Sequence, residues 1–374
     1  MLGLFFKYLP SSSHYIFEYG IEGCRPQRVA NSGTCSSNRT VAICRREWPV
    51  SNKASSAILT HYGILQVAVT ATAKEFQGIY RGKQYHTPDF PSTLERAAKA
   101  GVEKVMLTGM SLQDVEFNSS LVASHPSQCT LTIGIHPYHA AIPESEIEST
   151  MQELARQVSH ALAQTPCPIS AFGELGLDYD RVNHASKEEQ VRVFKAQLDL
   201  FVANGWQLPL FLHCRAAFED FAEIIKPYLA KLPKGGLVHS FVGTTSEMNS
   251  LVNLGLDISV NGFSFQDRES VEMVAAIPLE RLQIETDAPW GEIKSSSNLA
   301  KRYCINAGPA LPSKKRDKWD AGCTVKERNE SCNLHTVAFV VAGLKSCTVD
   351  EIANAAWQNS ARMFGLADAT LGGS

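Results

Sequence analysis

Five short apolar runs in this chain each close on a side chain that can bind a metal or move a proton. They are Leu131-Thr-Ile-Gly-Ile-His136, Ile169-Ser-Ala-Phe-Gly-Glu174, Leu208-Pro-Leu-Phe-Leu-His213, Gly236-Leu-Val-His239 and Leu282-Gln-Ile-Glu-Thr-Asp287. Neutral imidazoles suit Zn²⁺, Mn²⁺ and similar ions. A carboxylate such as Glu174 can bridge two ions, and Asp287 can both bind metal and accept a proton from water. A lone His or Glu at a strand end has an ordinary structural explanation, but four of them closing four apolar runs need a shared partner. Glu174, His213, His239 and Asp287 therefore read as a site for two divalent ions, which activate a water and offset charge on an ester, amide or phosphodiester.

Weaker candidates surround these four. His136 reads as a contact to the scissile phosphate or as a support behind the ligands, with anchoring of the Pro137 turn as the plain alternative. Asp178, in Leu175-Gly-Leu-Asp-Tyr, either orients a metal-binding His or caps a loop. Arg215 reads as a phosphate clamp or an ordinary surface ion pair. Cys214 is a poor nucleophile candidate, because side chains alternate along a strand and it should point away from His213.

The elements that would position these residues follow from pattern. A buried parallel strand reads as a continuous apolar run because both faces are covered. Such runs occur near 63–69, 104–108, 129–135, 169–173, 208–212, 236–238, 256–260 and 281–285. Amphipathic segments lie between them, best at Glu144–Gln164, Lys187–Asn204, Ala217–Leu232, Ser246–Leu254 and Glu269–Ile277. Asn333–Leu344 and Val349–Phe364 read as closing helices. Eight strand–helix units favour an α/β fold closed as a (β/α)₈ TIM barrel, whose strand ends converge on one mouth. No GxGxxG or Walker loop follows a strand, which weighs against a nucleotide-binding open sheet.

The 374 residues, 44% apolar and 20% charged, fit a globular protein with a sizeable core. A net charge of −3 gives no global attraction to nucleic acid or membrane. Attraction to a polyanion must be local, and residues 288–332 offer it, with nine Lys and Arg against five Asp and Glu. No apolar stretch is long enough for a membrane span, and no obligate protein partner is evident. The ten cysteines form no CxxC pair and read as free thiols of a reducing compartment, cytoplasmic or nuclear. Residues 1–61 read as an irregular extension and 62–368 as the barrel domain. Arg25, Arg28, Arg39, Arg45 and Arg46 faintly suggest a mitochondrial targeting peptide, a poorly packed extension being the plainer reading.

Several blocks together resemble the TatD family of metal-dependent deoxyribonucleases. They are Gly173-Glu-Leu-Gly-Leu-Asp-Tyr-Asp, Phe211-Leu-His-Cys-Arg, Val238-His-Ser-Phe-Val-Gly-Thr and Ile284-Glu-Thr-Asp-Ala-Pro-Trp. Phe76-Gln-Gly-Ile-Tyr-Arg-Gly-Lys-Gln, Leu107-Thr-Gly-Met-Ser-Leu-Gln-Asp and Arg328-Asn-Glu resemble its eukaryotic branch. The resemblance implies an amidohydrolase-type barrel and Mg²⁺-dependent hydrolysis of DNA, often 3′→5′, with Mn²⁺ or Zn²⁺ as other ions. It implies that Glu174, His213, His239 and Asp287 are ligands, with Glu174 bridging. Arg328 and Glu330, in the last block, join the candidates for touching substrate or supporting ligands.

One departure stands out. The family opens its first strand with Asp-x-Gly/Ala-x-Asn or His-x-His, and here Gln66 and Thr70 occupy the acidic and Asn positions. Either residues 1–66 are not the native start of the domain, or one metal site has been lost. The rivals to a DNase are accordingly a catalytically impaired barrel and a metallohydrolase of small amides or esters.

Overall fold

The computed structural model describes residues 64–308 and 310–365. The expectations for residues 1–61, a targeting peptide included, lie outside the described residues.

All eight expected strands form. They are β1 (Ile64–Val69), β2 (Val102–Leu107), β3 (Cys129–Ile133), β4 (Ile169–Asp178), β5 (Leu210–Arg215), β6 (Gly236–Val238), β7 (Asp257–Val260) and β8 (Leu282–Ile284). They lie side by side in sequence order in one parallel sheet. A bridge between Val69 and Ala288, with Thr70 N donating to Ala288 O at 2.9 Å, brings the last strand back to the first. The result is the (β/α)₈ barrel. Leu65, Val67, Met106, Ala171, Phe211 and Leu237 gather from five strands into one cluster, completed by Met363 and Phe364.

Helices α1 (Phe90–Lys99), α2 (Leu112–Ser124), α3 (Ile147–Leu162), α4 (Lys187–Asn204), α5 (Phe218–Ile225), α6 (Thr245–Asn253) and α7 (Arg268–Ala276) connect the strands. α8 (Asn298–Tyr303), α9 (Leu334–Lys345) and α10 (Val349–Phe364) follow β8. α4 and α10 have the expected limits because both ends are specified. Capping boxes, Ser186 with Glu189 and Thr348 with Glu351, satisfy the first amides, and Gly205 and Gly365 take left-handed φ of 62° and 65° at the other end. The single helix expected over 217–232 breaks after Ile225 into a 3₁₀ turn over Lys226–Lys231. Pro227 is the reason, since it has no N–H to continue the ladder. Among the described residues no single helix is long and apolar enough to cross a membrane.

Two strands run further than their apolar runs. β4 continues through Glu174 to Asp178, and β5 through His213 to Arg215. Their register slips between Gly173 and Leu175, a bulge that takes Glu174 out of simple alternation. The strands approach so closely that a Cβ on Gly173 would lie 2.1 Å from Phe211 O, and one on Gly176 1.9 Å from His213 O. Only glycine fits at either position.

Residues 288–332, expected to be aperiodic, contain α8 and a short ladder pairing Ser313–Lys314 with Thr324–Val325. The segment is fastened by a buried cluster of four charges. Arg328 donates to Asp89 at 2.6 Å and to Glu330 at 2.7 Å, and Arg96 Nε donates to Glu330 at 2.7 Å. The Arg328 guanidinium also lies over the Phe76 ring, 5.0 Å from its centroid. Arg328 and Glu330 are 1% and 0% exposed, which corrects the expectation that they meet substrate. Two guanidiniums and two carboxylates neutralise one another inside the protein, where a substrate cannot follow. Between them, Asn329 donates from Nδ2 to Thr286 O at 3.0 Å and from its backbone N to Pro289 O at 2.9 Å.

Removing one member of a buried ion cluster strands its partner's charge, at about 3–5 kcal/mol. Asp89→Ala is therefore expected to lower unfolding stability by about that amount, read as a shift in denaturation midpoint, while Asp180→Ala at the surface shifts it by less than about 1 kcal/mol.

Candidate metal centre

The five ligand-type residues do not contribute equally. Glu174 Oε1 lies 2.6 Å from His239 Nε2, 2.8 Å from His213 Nδ1 and 3.2 Å from His136 Nε2. Three imidazoles from three loops and strands thus converge on one carboxylate oxygen. Ring nitrogens of His136 and His213 and a carboxylate oxygen of Glu174 all lie within 4.8 Å of one another. Glu174 and His239 are buried and His213 is partly exposed, so the cluster opens to solvent on one side.

Each group is held from behind. His213 Nε2 faces Asp178 Oδ2 at 3.0 Å, the arrangement in which a carboxylate fixes the tautomer and orientation of a metal-binding imidazole. Asp178 is itself clamped by Gln190 of α4, which accepts from Asp178 N at 2.8 Å and donates to Asp178 O at 3.0 Å. Gln197 does the same for Ile135, next to His136, at 2.8 and 2.9 Å. These glutamines are seven residues apart, so they share one face of the helix, and both are fully buried. His239 Nδ1 faces Glu285 Oε1 at 3.4 Å, and Glu285 accepts from Ser259 at 2.7 Å and Asn261 at 2.9 Å. The Phe211 ring stacks on His239 at 4.6 Å.

The hydrogen bonds distinguish the three imidazoles. His136 Nδ1 accepts from Tyr138 N at 3.1 Å, so in the neutral ring its proton sits on Nε2. That nitrogen can donate to a carboxylate or a phosphate but has no lone pair for a metal. His136 Nε2 therefore faces Glu174 as a donor. Burial lowers its pKa in spite of Glu174, which keeps it neutral. His213 has a carboxylate at each nitrogen. Burial opposes its charge, but the bonds to Asp178 and Glu174 prevail and raise its pKa. His239 is raised well above the usual value for the same reason, by Glu174 and Glu285 against burial. Burial alone would raise Glu174, yet His239, His136 and the hydrogen bonds hold its carboxyl well below the usual range.

Asp287, just past β8, is half-buried and has a positive φ of 55°. Burial, reinforced by Glu285 and Glu174 and partly offset by His239, pushes its pKa up to about 7. A carboxyl poised there can take a proton at neutral pH. Its neighbours Thr286 and Ala288–Pro289 are fixed by Asn329 and by the first strand.

The first strand supplies no ligand. Gln66 is fully buried and donates from Nε2 to Thr286 Oγ1 at 2.8 Å, while Thr286 N donates to its Oε1 at 3.1 Å. Both ends of its amide are thus spent on the segment that carries Asp287. Thr70 is likewise at the seam, through its backbone. Arg215 lies at the rim, half-exposed, with Nε on Asp180 at 3.1 Å and the guanidinium 5.8 Å from the Phe263 centroid. Among the described residues its other N–H groups have no hydrogen-bond partner, which leaves them able to meet a phosphate. Cys214 is buried with its thiol pKa pushed up, so it is no nucleophile.

The donor set fits a divalent cation. Imidazole nitrogens and carboxylate oxygens facing one another at 2.6–2.8 Å are what a small ion can hold in common. Protons on His213 and His239 perform that neutralisation otherwise. The residues missed by sequence reasoning are Glu285, Asn261, Gln190 and Gln197. Glu285 carried a signal, as a charge inside the last apolar run two residues before Asp287. The glutamines carried only their polarity at positions seven apart in α4.

A parallel eight-stranded barrel with histidines and carboxylates gathered at one mouth defines the class of (β/α)₈ barrel hydrolases. Within that class the chain belongs to the TatD-related DNase family, whose model matches residues 79–365. A Schizosaccharomyces pombe protein named deoxyribonuclease Tat-D is 39% identical over 300 residues, covering 80% of this chain and 94% of its own. An Erwinia amylovora protein named 3′-5′ ssDNA/RNA exonuclease TatD is 35% identical over 281 residues, covering 74% and 94%. Among solved structures, a Saccharomyces cerevisiae amidohydrolase described as uncharacterized superposes with a TM-score of 0.75 at 30% identity, over 81% of this chain and all of its own. A TatD family hydrolase from Entamoeba histolytica gives 0.73 at 29% identity, over 82% and 99%.

An ion held by His213, His239 and Asp287 would displace protons from the two imidazoles and leave the carboxyl ionised. Groups with raised pKa in the metal-free protein release protons on binding, so affinity for Mn²⁺ is expected to fall as pH drops through about 7. Calorimetric titration in two buffers of different ionisation enthalpy should report net proton release at pH 6.5, reduced in Asp287→Asn.

Proposed function

We propose that this protein hydrolyses phosphodiester bonds of DNA from the 3′ end, with water as nucleophile and two divalent metal ions as cofactors. The observation that carries the reading is the convergence of three imidazole nitrogens on Glu174 Oε1 at the barrel mouth. Family membership supports it, as do the relatives whose names specify deoxyribonuclease or 3′-5′ exonuclease. Mg²⁺ is the ion we favour, and the imidazole content makes Mn²⁺ and Zn²⁺ its competitors.

Glu174, His213, His239 and Asp287 would hold the metal. When bound, such ions polarise the phosphate and lower the pKa of water. The chain's own groups do the rest. Asp287 accepts the proton of the attacking water. His136 donates its Nε2 proton to a phosphate oxygen. Arg215 pairs with the phosphate at the rim, and Asp178 and Glu285 keep His213 and His239 aimed. Phosphate contacts of this kind fix register without reading sequence.

The engagement of Gln66 with Thr286 favours a second reading, in which the chain binds one ion and turns over slowly. Metal content by mass spectrometry separates the two: two ions per chain support the first, one ion the second. Under the second, Gln66→Asp combined with Thr70→Asn should raise both stoichiometry and rate. For the proposed ligands, Glu174→Ala should reduce release of mononucleotides from a 3′-labelled oligonucleotide to background. Wild-type rate in that variant would refute the assignment. Asp178→Asn should weaken metal binding about 10–100-fold, as loss of an outer carboxylate does.

A further inference from the structure

The segment between α8 and α9 contains a second charged feature, apart from the metal centre. A recess of about 410 Å³ is lined by Ser313, Lys314, Lys315, Lys318 and Lys326. All four lysines are exposed. Among the described residues, Lys314 has an acidic partner, Asp320, and the other three have none. Four like charges around one recess repel each other, and an anion with several charges relieves that repulsion.

The lysines stand on a fixed frame. Lys326 N donates to Lys314 O at 2.9 Å across the short ladder, and Lys318 N to Lys315 O at 2.8 Å across the turn. Trp319 donates to Cys323 O at 2.9 Å and packs tilted against His86, with ring centroids 4.7 Å apart. Arg316 lies over Tyr80 and Tyr85, 5.2 and 5.1 Å from their centroids. The frame is also tied to the metal centre. Lys326 is three residues from Asn329, which bonds to Thr286 and Pro289 on either side of Asp287. Three residues span at most about 11 Å, so Lys326 stands no further than that from Asn329.

We propose that this recess binds backbone phosphates of the polynucleotide strand whose end occupies the metal centre. The inference rests on the nuclease reading above. Lysines act as point charges without the planar fork that reads geometry, which suits a sequence-independent hold on a moving strand. Binding then depends on strand length and on salt, and short fragments leave easily after cleavage.

Fluorescence anisotropy of the full chain, in chelator, with a labelled single-stranded trinucleotide and dodecamer across a NaCl series tests this. The dodecamer should bind at least tenfold more tightly than the trinucleotide. Lys314→Ala, Lys315→Ala, Lys318→Ala and Lys326→Ala in one chain should abolish that gain and reduce the salt slope by about 2–3, since each phosphate contact on a single strand contributes ~0.7. Asp320→Asn, which releases Lys314, should shift both quantities the other way. An unchanged length gain and salt slope in the quadruple variant overturns the proposal. So does inorganic pyrophosphate binding in the recess with no dependence on strand length. If the length gain is lost as expected but wild type with Mg²⁺ or Mn²⁺ cuts no oligonucleotide, the nuclease reading fails alone. If wild type cuts and the quadruple variant binds as wild type does, this inference fails alone.

Discussion

One oxygen organises this protein. Glu174 Oε1 is shared by His239, His213 and His136, and a buried carboxylate in that position must be neutralised by something. Protons on the imidazoles can do it, and under the proposed function a cation would take their place. The local backbone serves that position. The bulge at Gly173–Leu175 swings the carboxyl off the strand's alternation, and two glycines let β4 and β5 come close enough for His213 to meet it.

Around that oxygen the support is divided between two sides of the barrel. On one side α4 reaches over with two buried glutamines and fixes the backbone at Ile135 and Asp178. On the other, Asn329 and Gln66 grip the segment carrying Asp287, whose left-handed backbone has a cost that neighbouring contacts must offset. The buried cluster of Asp89, Arg96, Arg328 and Glu330 anchors the second grip to α1. Long-range charge pairs are thus used far from the reacting atoms to set where those atoms stand.

The barrel was legible because its strands are covered on both faces. Ile64–Val69 and Ile169–Asp178 are buried at every residue, and an unbroken apolar run is how such a strand reads. The strand-end cluster was legible for the same reason, as polar residues closing apolar runs. What could not be read was pairing at long separation. Nothing local announces that Asp89 meets Arg328 across 239 positions, and Arg328 looked like a residue waiting for a phosphate. The tautomer of His136 was equally hidden, because it turns on which ring nitrogen accepts from Tyr138 N.

The Gln66–Thr286 pair bears on the order in which the molecule is assembled. The first and last strands meet through a bridge at Val69 and Ala288, and the amide of Gln66 doubles that join. A carboxylate there would add a negative charge next to Glu285 and Asp287, and the barrel could close comfortably only around an ion. A neutral amide removes that condition. The seam between first and last strands is thus sealed by neutral groups alone, and an ion taken up under the proposed function would meet a barrel already closed.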